Sequence, residues 1–471
     1  MTQPRTEIRA NGGSGQRDVL GGLEELRVRP MWRFVTSQPI SFWLVCLYFV
    51  VEYFRPQTRF PAIDVIPWGK SVLALALVAL FAEGRFPKLR TAAGPLILLF
   101  LGVVVVSSVF AVYPAVSFAN LEIILGWVVI YLIITNVVTT EGRFFIVSLL
   151  FVLLSFRFSQ FAVRTWVGDG FQFRGAGLWG PQGWFNNPGE LGIQLCILVA
   201  TSAAFYWGVK NGLERWKKAV LLLIPASAVI AVIATNSRGA QLGLAALLAW
   251  GAVIVAPRLR TFVLVGLVAV GGYVLIPDAQ MERWLEAGDD ETSQTRQDRW
   301  DDGREIMDAH PFLGIGYANW LPYYYQHYTH RERQGLSHNI LIDAGAELGY
   351  TGLLAFLLLV GVTFHLNRQT RRWARGPPVS DRFLYCMAYG LDGALVAFLV
   401  TGQFVSVLYY PYFWINLAMT VSLNVVTKAK RRRRKMEAAP GYADAQRGAR
   451  LSVSPDPRRA PVASSRSRFT P

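Results

Sequence analysis

Four polar residues in apolar or turn-forming surroundings draw attention first. Arg238 stands in Thr235-Asn236-Ser237-Arg238-Gly239-Ala240, a tight turn between two apolar runs. Its planar guanidinium fork suits bidentate contact with phosphate oxygens; the plainer reading is an interfacial arginine that snorkels to water. Arg296 lies in Thr295-Arg296-Gln297-Asp298-Arg299-Trp300 and, taken alone, reads as a solvated arginine able to pair with Asp298 or Glu291. His338, in Ser337-His338-Asn339, directly precedes an apolar run. An imidazole there can accept a proton near neutral pH, or it can be an interfacial neighbour of a Ser337 helix cap. Glu347 falls inside the apolar run, where a carboxylate is costly and therefore functional by default. An arginine partner is expected for it.

No competing motif of soluble enzymes occurs. The chain has no P-loop, no dinucleotide-binding glycine fingerprint and no His-Glu-x-x-His. Cys46, Cys196 and Cys386 sit far apart within apolar segments, which offers neither a disulfide framework nor metal-ligand spacing. Metal-independent chemistry without a cofactor is the expectation.

These residues must be positioned by membrane elements. Of 471 residues 53% are hydrophobic and 17% charged, with a mean hydropathy of +0.32, against roughly 25% charged residues in soluble domains. Apolar runs long enough to cross ~30 Å of hydrocarbon recur near 34–54, 67–83, 95–112, 119–138, 145–163, 189–208, 218–235, 239–256, 261–277, 339–365, 383–402 and 405–426. The fold class is an all-α polytopic membrane helix bundle of about 12 spans. With both termini cytoplasmic, fifteen Lys and Arg fall in the short inner loops and five in the short outer loops, as the positive-inside rule requires. The layout is then a disordered cytoplasmic segment at 1–33, spans one to nine over 34–277, an extracytoplasmic loop at 278–338, spans ten to twelve over 339–427, and a basic disordered cytoplasmic tail at 428–471.

The net charge of +16 owes much to Lys428, Lys430, Arg431, Arg432, Arg433, Arg434 and Lys435 and the tail beyond them. A basic cluster just after a span anchors topology and touches anionic lipid, so nucleic acid is not an expected partner. The 278–338 loop holds twelve acids and six arginines; it should be partly helical, and a loop of that length is more often functional than a connector. Its aromatic cluster, Trp320, Tyr323, Tyr324, Tyr325 and Tyr328, could stack on sugar faces or pack internally. A second outer loop, 164–188, ends in Trp184-Phe185-Asn186-Asn187-Pro188-Gly189-Glu190. Glu190 there either favours the helix dipole or contacts an acceptor.

Taken together these residues resemble the O-antigen ligase and O-antigen polymerase superfamily of bacterial membrane glycosyltransferases. The resemblance rests on Phe185-Asn186-Asn187-Pro188, Ser237-Arg238-Gly239, Arg296 with Trp300, His310-Pro311-Phe312-Leu313-Gly314-Ile315-Gly316, and Ser337-His338-Asn339 with Leu341, Glu347 and Gly349, in that order. It implies an inner-membrane protein that transfers a glycan from undecaprenyl pyrophosphate to a hydroxyl acceptor (lipid A core, growing polysaccharide or protein) on the extracytoplasmic face, inverting and metal-independent. Arg238 and Arg296 would hold the pyrophosphate, His338 would take the proton, and Asn187, Glu190, Asn339 and Glu347 would contact substrate. The alternatives are a transporter or flippase of lipid-linked glycans, and a structural partner in polysaccharide export; no internal repeat favours a transporter.

Overall fold

The computed structural model of the protein describes residues 21–173, 177–181, 183–255, 263, 266, 291–331, 333–377 and 379–438. Apolar runs that leave no backbone group unsatisfied in lipid must be helical, and the described residues are helical with no strands. The helices are α1 (Val28–Thr36), α2 (Ile40–Phe49), α3 (Trp68–Ala82), α4 (Ala93–Val109), α5 (Pro114–Val137), α6 (Glu141–Gly168) and α7 (Pro188–Val209). They continue as α8 (Arg215–Ala234), α9 (Arg238–Trp250), α10 (Glu291–Ala309), α11 (Trp320–His327), α12 (Ile340–Arg375), α13 (Arg382–Thr401) and α14 (Pro411–Glu437).

Among the described residues, seven helices are long and apolar enough to cross a bilayer, and up to eight if the bent pair α1 and α2 counts as one span. The difference from the twelve expected has local causes. Helices α3 and α4 are apolar but short, at 15 and 17 residues. Helix α14 is long but carries Asn416, Thr420, Ser422 and Asn424, all buried in the bundle. Of the run at 261–277 only residues 263 and 266 are described, and 278–290 and 439–471 lie outside the described residues.

Two boundaries differ from expectation. The first apolar run is not one helix: Ser37, Gln38 and Pro39 break it, and the two halves meet at 119°, because proline cannot continue a helix. Val28 and Trp32 on α1 stay largely exposed, the pattern of a helix that lies along a membrane surface. At the other end α14 begins at Pro411, leaving 402–410 as a loop, and it carries the basic run Lys428–Lys435 in helical form to Glu437.

Small residues allow close packing in the centre. Helix α13 packs on α7, α9 and α12; a Cβ on Gly390 would lie 2.4 Å from that of Ala204, and one on Gly243 2.0 Å from Thr401 Oγ1. Polar side chains tie helices together where water is absent. Asn416 donates to the Leu391 carbonyl at 3.0 Å, and Asp392 accepts from Asn367 at 2.8 Å and pairs with Arg371.

Helix α12 is broken at Gly349 (φ 70°, ψ −177°). The break frees carbonyls that the His310–Gly316 segment satisfies: Ile315 N–H donates to Ala346 at 2.9 Å and Gly316 N–H to Glu347 at 3.0 Å. The approach leaves no room for a side chain, since a Cβ on Gly314 would stand 2.4 Å from the Glu347 carbonyl carbon. The His-Pro-Phe-Leu-Gly-Ile-Gly motif therefore clamps the outer loop to the broken helix.

Candidate active site

Three helices begin at one end of the bundle, each with a capping side chain of the preferred type. Asn187 accepts from Glu190 N–H at 2.9 Å, and the Glu190 carboxylate accepts from Asn187 N–H at 3.2 Å, a reciprocal capping box at α7. Ser237 accepts from Ala240 N–H at 3.3 Å at α9. Asn339 accepts from Leu341 N–H at 2.9 Å and Ile342 N–H at 3.3 Å at α12. Their positive ends face the same region, a setting that favours anions.

The loop 402–410 threads between those three starts. A Cβ on Gly189 would meet Val405 Cγ2 at 2.5 Å, and one on Gly239 would meet Phe404 Cβ at 2.8 Å. Ile340 N–H donates to the Gly402 carbonyl at 2.9 Å. His338 N–H donates to Ser406 Oγ at 2.9 Å, and the Tyr410 hydroxyl hydrogen-bonds Glu190. This loop was swallowed by the twelfth apolar run in the sequence; Gln403, Ser406, Tyr409, Tyr410 and Pro411 were the available signal.

Helix α10 brings the outer-loop arginines to the same place. Arg238 Nη2 donates to Ser293 Oγ at 3.4 Å, and Ser293 shares a helix face with Arg296, three residues on. Trp300 Nε1 donates to the Ser337 carbonyl at 3.0 Å, and Arg299 to the Leu336 and Arg333 carbonyls, both at 3.0 Å. These bonds hold α10 against the segment that ends in His338. Arg238, as the first residue of α9, opposes the positive end of that helix, a placement that costs a few tenths to about 1 kcal/mol unless an anion is bound.

His338 adopts φ 54°, the left-handed region that costs a non-glycine residue roughly 1–2 kcal/mol. The Ser406 bond helps hold it there. Burial, followed by the charges of Arg296 and Arg299, pushes its imidazole down to about 4 from the usual 6.5. The ring is consequently neutral at physiological pH and has a lone pair to offer. Arg238, Arg296 and His338 thus gather at one end of the bundle.

The other expected site residues are structurally engaged. Asn187, Glu190 and Asn339 cap helices, as above. Glu347 is 5% exposed; it accepts from Trp320 N–H at 3.0 Å and from the Tyr409 hydroxyl at 2.9 Å. The arginine expected as its partner is replaced by these two neutral donors, which reach it because the outer loop and 402–410 both fold over α12. Asp343, unremarked in the sequence, joins Ser337 and Ser406 beside His338.

Of the aromatic cluster, Trp320, Tyr324 and Tyr328 pack internally, while Tyr325 stays exposed. Trp320 stacks on Tyr324 at 5.3 Å and Tyr324 on Tyr328 at 4.9 Å. Asp302 accepts from the Tyr324 hydroxyl at 2.6 Å and from Arg331 at 2.6 and 3.0 Å. Among the described residues no group of three or more His, Cys, Asp or Glu side chains is arranged to hold a metal ion.

The all-α bundle of apolar helices defines a polytopic membrane protein. The family model described as O-antigen ligase matches residues 219–357, from α8 to the first half of α12. The match covers less than a third of the chain; it supports the O-antigen ligase superfamily and, coarsely, an O-antigen ligase/polymerase-like membrane enzyme. Arg238, Arg296, His338, Asn339 and Glu347 all fall within the match; Asn187, Glu190 and the 402–410 loop fall outside it. A search of curated proteins found no match.

Proposed function

We propose that this protein transfers a glycan from undecaprenyl pyrophosphate to a hydroxyl acceptor at the extracytoplasmic face of the inner membrane, with inversion and without a metal. The observation that carries this reading is that α10 bridges the two parts of the site: its Ser293 accepts from Arg238 at 3.4 Å, and its Trp300 donates to the Ser337 carbonyl beside His338 at 3.0 Å, with Arg296 between them on the same helix. A diphosphate bound by both arginines would then lie beside a neutral base.

In the proposed reaction the acceptor hydroxyl attacks the anomeric carbon and gives its proton to His338. The bond from that carbon to the pyrophosphate oxygen breaks, and the electron pair leaves with the diphosphate. Arg238, Arg296 and the helix N-termini stabilise the charge that grows there. Pyrophosphate is already a good leaving group, so positioning and charge neutralisation supply most of the rate. Asn187, Glu190, Asn339 and Glu347 act as positioning residues: they fix the helix starts and the loop that present the reacting groups.

Mass spectrometry of surface lipids, polysaccharide and proteins, with the gene present and deleted, tests the reading and names the acceptor. A glycoconjugate should vanish on deletion and stay absent with Arg238→Ala or Arg296→Ala at normal membrane abundance. Full glycosylation by both variants would remove the arginine site, and a full set of glycoconjugates after deletion would remove the transferase assignment.

A further inference from the structure

A concavity opens at the end of α6 and α8, next to the turn that carries Arg238. It is a cavity of about 260 Å³ whose lining includes Phe161, Trp166, Phe173 and Trp179 together with Asp169 and Gln172. Trp166 stacks on Phe173 at 5.5 Å and 25°. Trp166 is 4% exposed, and among the described residues its buried Nε1–H has no hydrogen-bond partner, although buried indole N–H groups are normally satisfied. Trp179, also in the lining, is 58% exposed, so its ring face is open to a ligand.

The wall of this cavity is built on the turn that carries Arg238. Leu178 N–H donates to the Thr235 carbonyl at 3.2 Å, and a Cβ on Gly177 would meet that carbonyl at 2.6 Å and Pro188 at 2.9 Å. Ala234, also in the lining, precedes Arg238 by four residues, a reach of no more than about 14 Å along the chain.

We propose that this cavity is a carbohydrate subsite that binds a pyranose ring of the glycan handled at the arginine rim, an inference that rests on the transferase reading above. A pyranose presents an apolar C–H face and a rim of hydroxyls. Aromatic faces carry negative charge density that suits the C–H face. The Trp166 N–H, Asp169 and Gln172 offer a donor, an acceptor and a group that is both, which is what the hydroxyl rim needs. A lipid chain would use the aromatic walls but leave that polar set unmatched. The volume falls just below the ~300–1,000 Å³ of pockets for drug-sized ligands, the scale of a mono- or disaccharide.

The test uses the full chain in nanodiscs and, as probe, the oligosaccharide released by mild acid from the cell's lipid-linked donor. Saturation-transfer NMR should show sugar-ring signals with the wild type and with Arg238→Ala, and lose them with Trp179→Ala. Trp166→Phe, which keeps a ring and removes the N–H, should weaken them. No wild-type signal, or an equal signal from Trp179→Ala, overturns the subsite. In transfer assays Trp179→Ala should raise KM about tenfold for one substrate: for the donor if the ring belongs to the donor glycan, for the acceptor if it belongs to the acceptor. Unchanged KM for both overturns it as well. The transferase reading fails separately, if deleting the gene leaves every glycoconjugate in place.

Discussion

The backbone N–H of His338 donates to the hydroxyl of Ser406 at 2.9 Å, across 68 residues of sequence. It joins the segment before α12 to the 402–410 loop and holds the histidine at φ 54°. Removing the hydroxyl removes a bond of about 0.5–1.5 kcal/mol. If that energy is spent on orienting the imidazole, Ser406→Ala should lower kcat roughly twofold to tenfold with normal membrane insertion, and Ser406→Thr should restore most of it. Steady-state kinetics in proteoliposomes checks this; an unchanged kcat for Ser406→Ala would detach the loop from catalysis.

Glu347 should matter to stability as well as to rate. Glu347→Ala leaves the Trp320 N–H and Tyr409 hydroxyl without their acceptor, at about 1–3 kcal/mol for each buried donor. Unfolding in mixed micelles should therefore show a loss of about 2–6 kcal/mol. Tyr409→Phe should cost less, about 1–3 kcal/mol, because only Glu347 Oε2 loses its donor while Trp320 N–H keeps its acceptor. Equal, negligible effects would mean that Glu347 does not anchor the outer loop.

Much of the scaffold was legible locally. Asn187, Ser237 and Asn339 each cap a helix that starts within one residue of an expected apolar run, although before the tenth run the cap is Asn339 and not the Ser337 read from the sequence. The 402–410 loop was not legible: Val405, Val407 and Leu408 read as more of an apolar helix, and the contacts of Ser406 and Tyr409 come from residues 60 or more positions away. The partner of Glu347 was misjudged for the same reason. Composition predicts that a membrane carboxylate needs a partner, but only the break at Gly349 and the fold of the outer loop decide that the partner is a backbone amide and a tyrosine. The internal stacking of Trp320, Tyr324 and Tyr328 likewise depends on Asp302 and Arg331 arriving from elsewhere in the loop.

The pH dependence follows from the charges around His338. Its free-protein value of about 4 lies below the ordinary one, so the imidazole is neutral above that and charges only as pH falls through it. The acid limb of kcat/KM, which reports the free enzyme, should lie near pH 4. A bound diphosphate offsets the positive field of Arg296, so the acid limb of kcat should sit at higher pH. Coincident limbs would show that the anion does not bind next to this ring.

Orientation is tested at Tyr325, which is 51% exposed on the outer loop. In intact cells a membrane-impermeant maleimide should label Tyr325→Cys from outside. Labelling only after the inner membrane is opened would reverse the proposed topology.

The most direct measurement separates holding the diphosphate from moving the proton. With purified protein and radiolabelled undecaprenyl-pyrophosphate-linked glycan, His338→Ala should bind donor within about threefold of the wild type and lose at least about 100-fold in turnover, the usual range for a general base. Arg238→Ala and Arg296→Ala should lose donor binding itself. Wild-type turnover by His338→Ala, or undiminished donor binding by both arginine variants, would contradict the account.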